Sequence, residues 1–360
     1  MIVLGIETSC DETAAAVVRD GAQVLSNIVA AQHEVHTQFG GVVPELASRA
    51  HCEKILPVVE AALRASGISH DQVDAVAVGH RPGLIGSLLV GVAAAKALAW
   101  TLGKPLIGVD HVHAHLFAGL LSAAPGADSP DIFPALGLVV SGGHTSIYLL
   151  HSWTKLERLG ATIDDALGEA FDKAATILGL PYPGGPNLDR LAQSAGADDR
   201  AADLPISRLA PDSLDFSFSG LKTAMLYEVK GVPAHPAHRR ADSRYQPPPP
   251  LTETRRRDLA ATFQRTAVRA ITFKLERALL QLRERGVRPV TLLTGGGVTA
   301  NSRLRRELEV FASGSSLRLF LPELRYCVDN AAMIAGLADR LHAAGLSHEL
   351  TLEPVPTTAC

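Results

Sequence analysis

His111 and His115 stand four residues apart in Val109-Asp110-His111-Val112-His113-Ala114-His115-Leu116-Phe117. Val112, Leu116, Phe117, Leu120 and Leu121 recur at intervals of three and four, so the spacing predicts a helix. On a helix, positions i and i+4 lie one above the other on one face. Two imidazoles set that way can grip one metal ion, as they do in zinc-peptidase helices. The peptidase motif needs Glu after the first histidine, and Val112 stands there. The pair therefore points to a metal without pointing to proteolysis. The competing reading is three histidines at the partly solvated start of a helix.

The elements that must position this pair alternate along the chain. Residues 2–6 are apolar and β-prone, Glu7 to Thr13 are polar, and apolar sequence resumes at 14–18 and 24–30, with Asp20-Gly21 as a hairpin turn. The same plan returns at 135–140, with Ser141-Gly142-Gly143-His144-Thr145 as a tight turn before 146–150. This repeat suggests two related lobes, each opening with a phosphate-facing loop. Helical periodicity marks 44–63, 87–102, the segment running into Lys173, and 257–285, the longest. A strand at 289–293 leads through Thr294-Gly295-Gly296-Gly297 to a helix from Ser302, and Asp329 is read as opening the last helix. Strands alternating with helices indicate an α/β architecture. Residues 231–250, with prolines at 247–250, read as an exposed insertion.

Composition narrows the field. The chain has 360 residues, 47% of them hydrophobic, enough for two lobes with large cores. The net charge of −3 gives no global nucleic-acid signature, so any such contact needs a local patch. Cys10, Cys52, Cys327 and Cys360 are scattered, which fits neither a zinc ribbon nor a disulfide framework. The first residues lack a basic region and their apolar run meets Glu7 too soon for a signal peptide, and the apolar stretch 84–100 reads as a buried helix rather than a membrane span. A soluble cytoplasmic protein is expected.

Two glycine loops could meet a phosphate. Ser141-Gly142-Gly143 lies between strands, and Thr294-Gly295-Gly296-Gly297 follows a strand and precedes a helix N-terminus. Neither is a P-loop or a dinucleotide fingerprint. With the loop at residues 9–13, they look like the two-lobed actin/Hsp70/sugar-kinase (ASKHA) plan with a duplicated strand–turn–strand core.

Longer motifs make the resemblance specific. They include Gly5-Ile6-Glu7-Thr8-Ser9-Cys10-Asp11-Glu12-Thr13, Gly41-Val42-Val43-Pro44-Glu45-Leu46-Ala47-Ser48-Arg49 and Val140-Ser141-Gly142-Gly143-His144-Thr145. Gly168-Glu169-Ala170-Phe171-Asp172-Lys173, Phe216-Ser217-Phe218-Ser219-Gly220-Leu221-Lys222-Thr223 and Cys327-Val328-Asp329-Asn330-Ala331-Ala332-Met333 follow in order. Together they resemble the bacterial TsaD family, tRNA N6-adenosine threonylcarbamoyltransferases once called glycoproteases, over nearly the whole chain. The resemblance implies transfer of a threonylcarbamoyl group from its adenylate to the exocyclic amine of the adenosine beside the anticodon. The tRNAs would be those reading codons that begin with adenine, and AMP would leave. TsaB-like and TsaE-like partner proteins are implied as well.

The resemblance assigns His111, His115 and Asp329 to one divalent metal ion, with iron first and zinc or magnesium as alternatives. Imidazole ligands suit iron or zinc better than magnesium. Asp329 could instead cap the last helix, or do both. Substrate contacts are implied at Val139, Val140, Ser141, Gly142, Gly143, Asp172, Gly185, Asp189 and Asn301. Asp11 and Glu12, adjacent acids after the first strand, are the candidates for general-base work or for orienting the amine. The implied lobes are 1–110 with 328–360, and 111–327. The family has Gly where this chain has Arg81, before Pro82-Gly83. The arginines at 255–257, with Arg265, Arg269, Lys274, Arg277, Arg303, Arg305 and Arg306, are the best local charge for tRNA. A small-molecule kinase of the same plan, a nonenzymatic nucleotide-dependent scaffold and an O-carbamoyltransferase are the alternatives.

Overall fold

Apolar residues at Ile2–Glu7 form β1, which pairs antiparallel with β2 (Glu12–Arg19), Gly5 opposite Ala16. Asp20 and Gly21 both take positive φ, the conformation a tight hairpin needs, and lead into β3 (Gln23–Ala31). This computed structural model describes residues 1–357 except 38, 40, 122, 124–129, 208 and 232–247. After α1 (His33–Thr37), α2 (Pro44–Ser66) begins with proline in its first turn and stops at left-handed Gly67. It is followed by β4 (Ala75–Arg81), α3 (Ile85–Leu102), β5 (Leu106–Asp110) and α4 (His111–Ala118). β4 is parallel to β1, and β5 to β4, giving the order β3-β2-β1-β4-β5.

The second sheet repeats that order. β6 (Ala135–Val140), β7 (Thr145–Ser152) and β8 (Lys155–Ala161) form an antiparallel meander. Next come α5 (Leu167–Ile177), α6 (Gly184–Ala192), α7 (Ser219–Lys230) and α8 (Glu253–Glu284), whose N-terminus Thr252 caps. β9 (Thr291–Gly295), α9 (Ser302–Ser315), β10 (Arg318–Phe320), α10 (Leu324–Cys327) and α11 (Ala331–Ala343) complete the chain. β9 joins β6 and β10 joins β9, both parallel, so the order is β10-β9-β6-β7-β8. The duplicated core expected from the repeated strand–turn–strand unit is present.

Strand alternation sends side chains to opposite faces and builds three cores. Leu4, Ile6, Val76 and Val78 pack with Ile55 and Val59 of α2 and Val92 of α3. Val3, Ala14 and Val109 face the other way, with Leu116 of α4, Leu337 of α11, and Tyr148 and Leu293 of the second sheet. Leu136 and Leu138 turn outward beneath Phe171, Phe263 and Leu308. The histidine helix is thus held between the two sheets.

Two expectations change. The last helix opens at Ala331, and its cap is Asn330, whose Oδ1 accepts from Met333 N–H at 3.0 Å, so Asp329 stands outside the helix. α3 is apolar and long enough to cross a membrane, yet it is not buried all round. Ser87, Leu88, Gly91, Val92, Ala95 and Ala99 face inward while Ile85, Leu89 and Trp100 are exposed. The proline-rich insertion lies mostly outside the described residues.

Candidate active site

Asp110 ends β5 and caps α4, accepting from Val112 N–H at 3.0 Å and His113 N–H at 3.2 Å. That start places His111 and His115 on the inward face, ring centroids 4.6 Å apart. Asp329 reaches them from the turn before α11. Its Oδ1 lies 3.5 Å from His111 Nε2 and 3.2 Å from His115 Nε2. One ligand atom from each of the three lies within 4.8 Å of the others. His115 is wholly buried; among the described residues its Nδ1 has no hydrogen-bond partner, and Asp329 is what its Nε2 meets. A buried nitrogen pair left so costs free energy unless a ligand engages the lone pair. Two imidazoles and one carboxylate suit divalent iron or zinc, so the residues fit a metal.

The electrostatics agree. Burial lowers the His111 pKa, but the carboxylates of Glu7 and Asp329 outweigh it and raise the imidazole to about 9 in the metal-free chain. Burial likewise opposes ionisation of Asp329, yet His111 and His115 hold its carboxyl far below the usual range. A histidine raised on folding stabilises fully below its unfolded pKa and loses that contribution as pH rises through the folded one. Chelator-treated protein should therefore lose thermal stability from pH 6.5 toward about 9 through this group, read by calorimetric melts.

A cavity of about 430 Å³ opens over these residues, walled by Asp11, Glu12, Ser141, Gly142, His144 and Asp329 among others. A neighbouring chamber of about 550 Å³ shares Glu12, Gly142, Gly297 and Val328 with it and adds Asp172, Gly185, Asp189 and Asn301. Together they are large enough for a nucleotide carrying a small acyl group. Asp11 is buried in the β1–β2 turn, and Glu12 begins β2. Burial, then Asp329 and Asp11, pushes the Glu12 carboxyl well above its usual range. Gly142 and Gly143 are exposed, and no atom crowds the position of their missing side chains.

Predicted substrate residues carry structural duties too. Asp172 Oδ1 accepts from Gly185 N–H at 2.9 Å, tying α5 to the start of α6. Burial raises its carboxyl above the usual range, against the pull of the Gly185 and Gly184 amides. Asp189 accepts from Gln264 and from Ser302 Oγ (2.8 Å) and N–H (3.2 Å), joining α6, α8 and α9. Asn301 Oδ1 caps α9 through Arg303 and Leu304 N–H, which leaves its amide nitrogen as a donor. Val139 and Val140 are wholly buried strand residues packed into the cores on opposite faces of β6, and they line neither chamber.

Sequence reasoning passed over Glu7, His144 and Tyr182. Burial, then His111 and His115, pushes His144 down to about 4, so it faces the cleft as a neutral imidazole. Its signal was its place in the glycine turn. Arg81 Nε lies 3.6 Å from Asp110, at the foot of α4. The arginine is one-third exposed but Asp110 is buried, and glycine weakens a strand, so Arg81→Gly should cost about 1 kcal/mol or more, and urea melts would show it.

The basic patch is largely spent within the fold. Lys274 is buried and donates to the Ser213 carbonyl. Arg255 pairs with Glu228, Arg257 with Asp258, Arg269 with Glu276 and Arg303 with Asp199. Arg277 and Arg305 donate to backbone carbonyls. Most of the basic residues named for tRNA thus also carry ion pairs or hydrogen bonds within the fold.

The family model described as TsaD, tRNA N6-adenosine threonylcarbamoyltransferase, matches residues 23–336. A protein of that name from Symbiobacterium thermophilum is 47% identical over 355 residues, 99% of this chain and 96% of its own. Another, from Anaeromyxobacter dehalogenans, is 50% identical over 337 residues, covering 92% of each chain. The solved structure of T. kodakarensis HypF aligns with 96% of this chain at TM-score 0.58 and 15% identity. This chain spans 48% of that one, and the likeness shows the two-lobed ASKHA fold alone. Family match, near-full-length relatives and a cleft holding the motif residues agree: this chain belongs to the TsaD family of tRNA N6-adenosine threonylcarbamoyltransferases.

Proposed function

We propose that the chain moves the threonylcarbamoyl group from threonylcarbamoyl-adenylate onto the exocyclic amine of the adenosine beside the anticodon. The tRNAs are those reading codons that begin with adenine, and AMP is released. The observation that carries this reading is the joining of a nucleotide-sized chamber to the His111–His115–Asp329 cluster across Glu12 and Gly142.

The adenylate's nucleotide fits the larger chamber. Asp172 and Asp189 carry acceptor oxygens there for ribose hydroxyls, and the Asn301 amide can donate. Ser141, Gly142 and Gly143 set the acyl phosphate between the chambers, where their backbone can approach closely. His111, His115 and Asp329 would hold a divalent ion, iron by preference, which when bound would supply Lewis-acid polarisation and charge neutralisation to the acyl phosphate. The amine nitrogen attacks the carbamoyl carbon, a C–N bond forms, and the C–O bond to phosphate breaks. The amine proton passes to the carboxylate pair Asp11–Glu12, with Asp11 the preferred acceptor.

A kinase or an O-carbamoyltransferase is not favoured by the family match. Purified protein with threonine, bicarbonate, ATP, the adenylate-forming enzyme, partner proteins and unmodified tRNA should yield the threonylcarbamoyl nucleoside by mass spectrometry of the digest. Unmodified tRNA alongside a phosphorylated sugar would contradict it. Asp172→Ala should raise KM for the adenylate about tenfold or more, since a carboxylate hydrogen bond to a ligand contributes about 1.5–3 kcal/mol. Steady-state kinetics with synthetic adenylate checks this.

TsaB-like and TsaE-like partners complete the proposal. The exposed Leu56 of α2, with Ile85, Leu89 and Trp100 of α3, offers the apolar area a partner would cover. The two sheets, with α11 packed onto the first, support a division into lobes at 1–110 with 328–360 and at 111–327. The cytoplasm, where tRNA is found, is the proposed location.

A further inference from the structure

Glu7 is a side chain the transfer mechanism leaves unused. It ends β1, is 0% exposed, and lies 104 positions from the residue it meets. Its Oε2 is 3.0 Å from His111 Nδ1, and its Oε1 accepts from Ser9 N–H. Ser9 Oγ also lies 3.2 Å from that ring nitrogen. A carboxylate can only accept, so the proton of neutral His111 must sit on Nδ1. The lone pair is then on Nε2, the nitrogen that faces Asp329.

A second observation concerns the neighbouring strand. Ile6 pairs with Val78 across β1 and β4, which sets Gly79 beside Glu7. A Cβ at Gly79 would stand 2.5 Å from Glu7 Oε2 and 3.3 Å from its Cδ. The strand thus leaves room for that carboxylate in the position that meets His111.

We infer that Glu7 is the positioning residue of the metal centre, fixing the tautomer and ring orientation of His111 so that Nε2 is presented to the ion. This rests on the metal reading of His111, His115 and Asp329. Carboxylates behind ligating histidines commonly act this way, and losing one weakens metal binding about 10–100-fold. Glutamine is not equivalent. Both oxygens of Glu7 accept, from Ser9 N–H and from His111 Nδ1–H. Glutamine has one acceptor. The Ser9 amide is a fixed donor and takes it, so the NH2 group faces Nδ1. His111 then accepts there and carries its proton on Nε2, where the ion must bind.

Competition for zinc against a chromophoric chelator, on full-length protein, tests this. Glu7→Gln should raise the zinc Kd about 10–100-fold. Gly79→Ala should do the same in kind, by displacing the carboxylate while keeping it, and it carries the test if Glu7→Gln does not fold. The double variant should bind no worse than the weaker single, because both act on one contact. A purely packing role would lower the melting temperature of metal-free protein and leave the zinc Kd unmoved. Folded Glu7→Gln or Gly79→Ala with the wild-type Kd would overturn the inference while the metal centre stood. Wild-type protein that takes up no zinc would instead overturn the metal centre beneath it.

Discussion

His111→Ala should strip the metal from the purified protein and lower tRNA modification by at least about 10²–10³-fold, the loss seen when one preorganised charge-stabilising group is removed. His111 and His115 supply two of the three ligand atoms gathered within 4.8 Å, and truncating one leaves an imidazole and a carboxylate. His115→Ala and Asp329→Ala should behave alike, because the ion stabilises charge only when held by all three. Asn330→Ala should be milder: it loses a helix cap, costing about 0.5–2 kcal/mol, and keeps all three ligand side chains. Elemental analysis beside single-turnover transfer reads both outcomes. Full metal content in folded His111→Ala would remove the imidazole from the ligand set.

Gly295→Ala should destabilise the fold by about 1–3 kcal/mol or more, as overpacking does, and weaken metal binding with it. A Cβ at Gly295 would stand 1.9 Å from the His115 carbonyl oxygen and 2.9 Å from the His115 Cβ. β9 lies directly against the helix backbone that carries a ligand, so the strand can admit the methyl group only by moving α4. Gly297→Ala, in the same loop, meets no atom within 4 Å and should keep both stability and metal. Urea denaturation with zinc competition on the two variants separates a local packing clash from a general intolerance of the loop. Equal stability of both variants would mean that β9 does not buttress the histidine helix.

These two sites show what could be read from residue order. The i, i+4 histidines on α4 were legible because helical periodicity fixes which side chains share a face. The duplicated sheets were legible because each opens with the same apolar strand and small polar turn. Asp329 was harder. Both it and Asn330 are good helix caps, and it is the Asn330 bond to Met333 N–H that releases Asp329 to the histidines. Glu7 was missed as a partner because nothing local marks a strand-end acid as the neighbour of an imidazole 104 positions away. The pairing of the arginines was not legible either: a charge-rich helix carries no sign of which guanidinium groups the fold will pair. α3 misled because an evenly apolar helix gives no asymmetry to separate a face buried in the core from one left exposed.

Anomalous scattering at the iron edge, on crystals grown with ferrous iron under reducing conditions, tests the central claim most directly. One peak should lie about 2.0–2.2 Å from His111 Nε2, His115 Nε2 and an Asp329 oxygen, at the floor of the chamber walled by Glu12 and Gly142. A peak held by other residues, or none at saturating iron, would contradict the account of how this cleft transfers its acyl group.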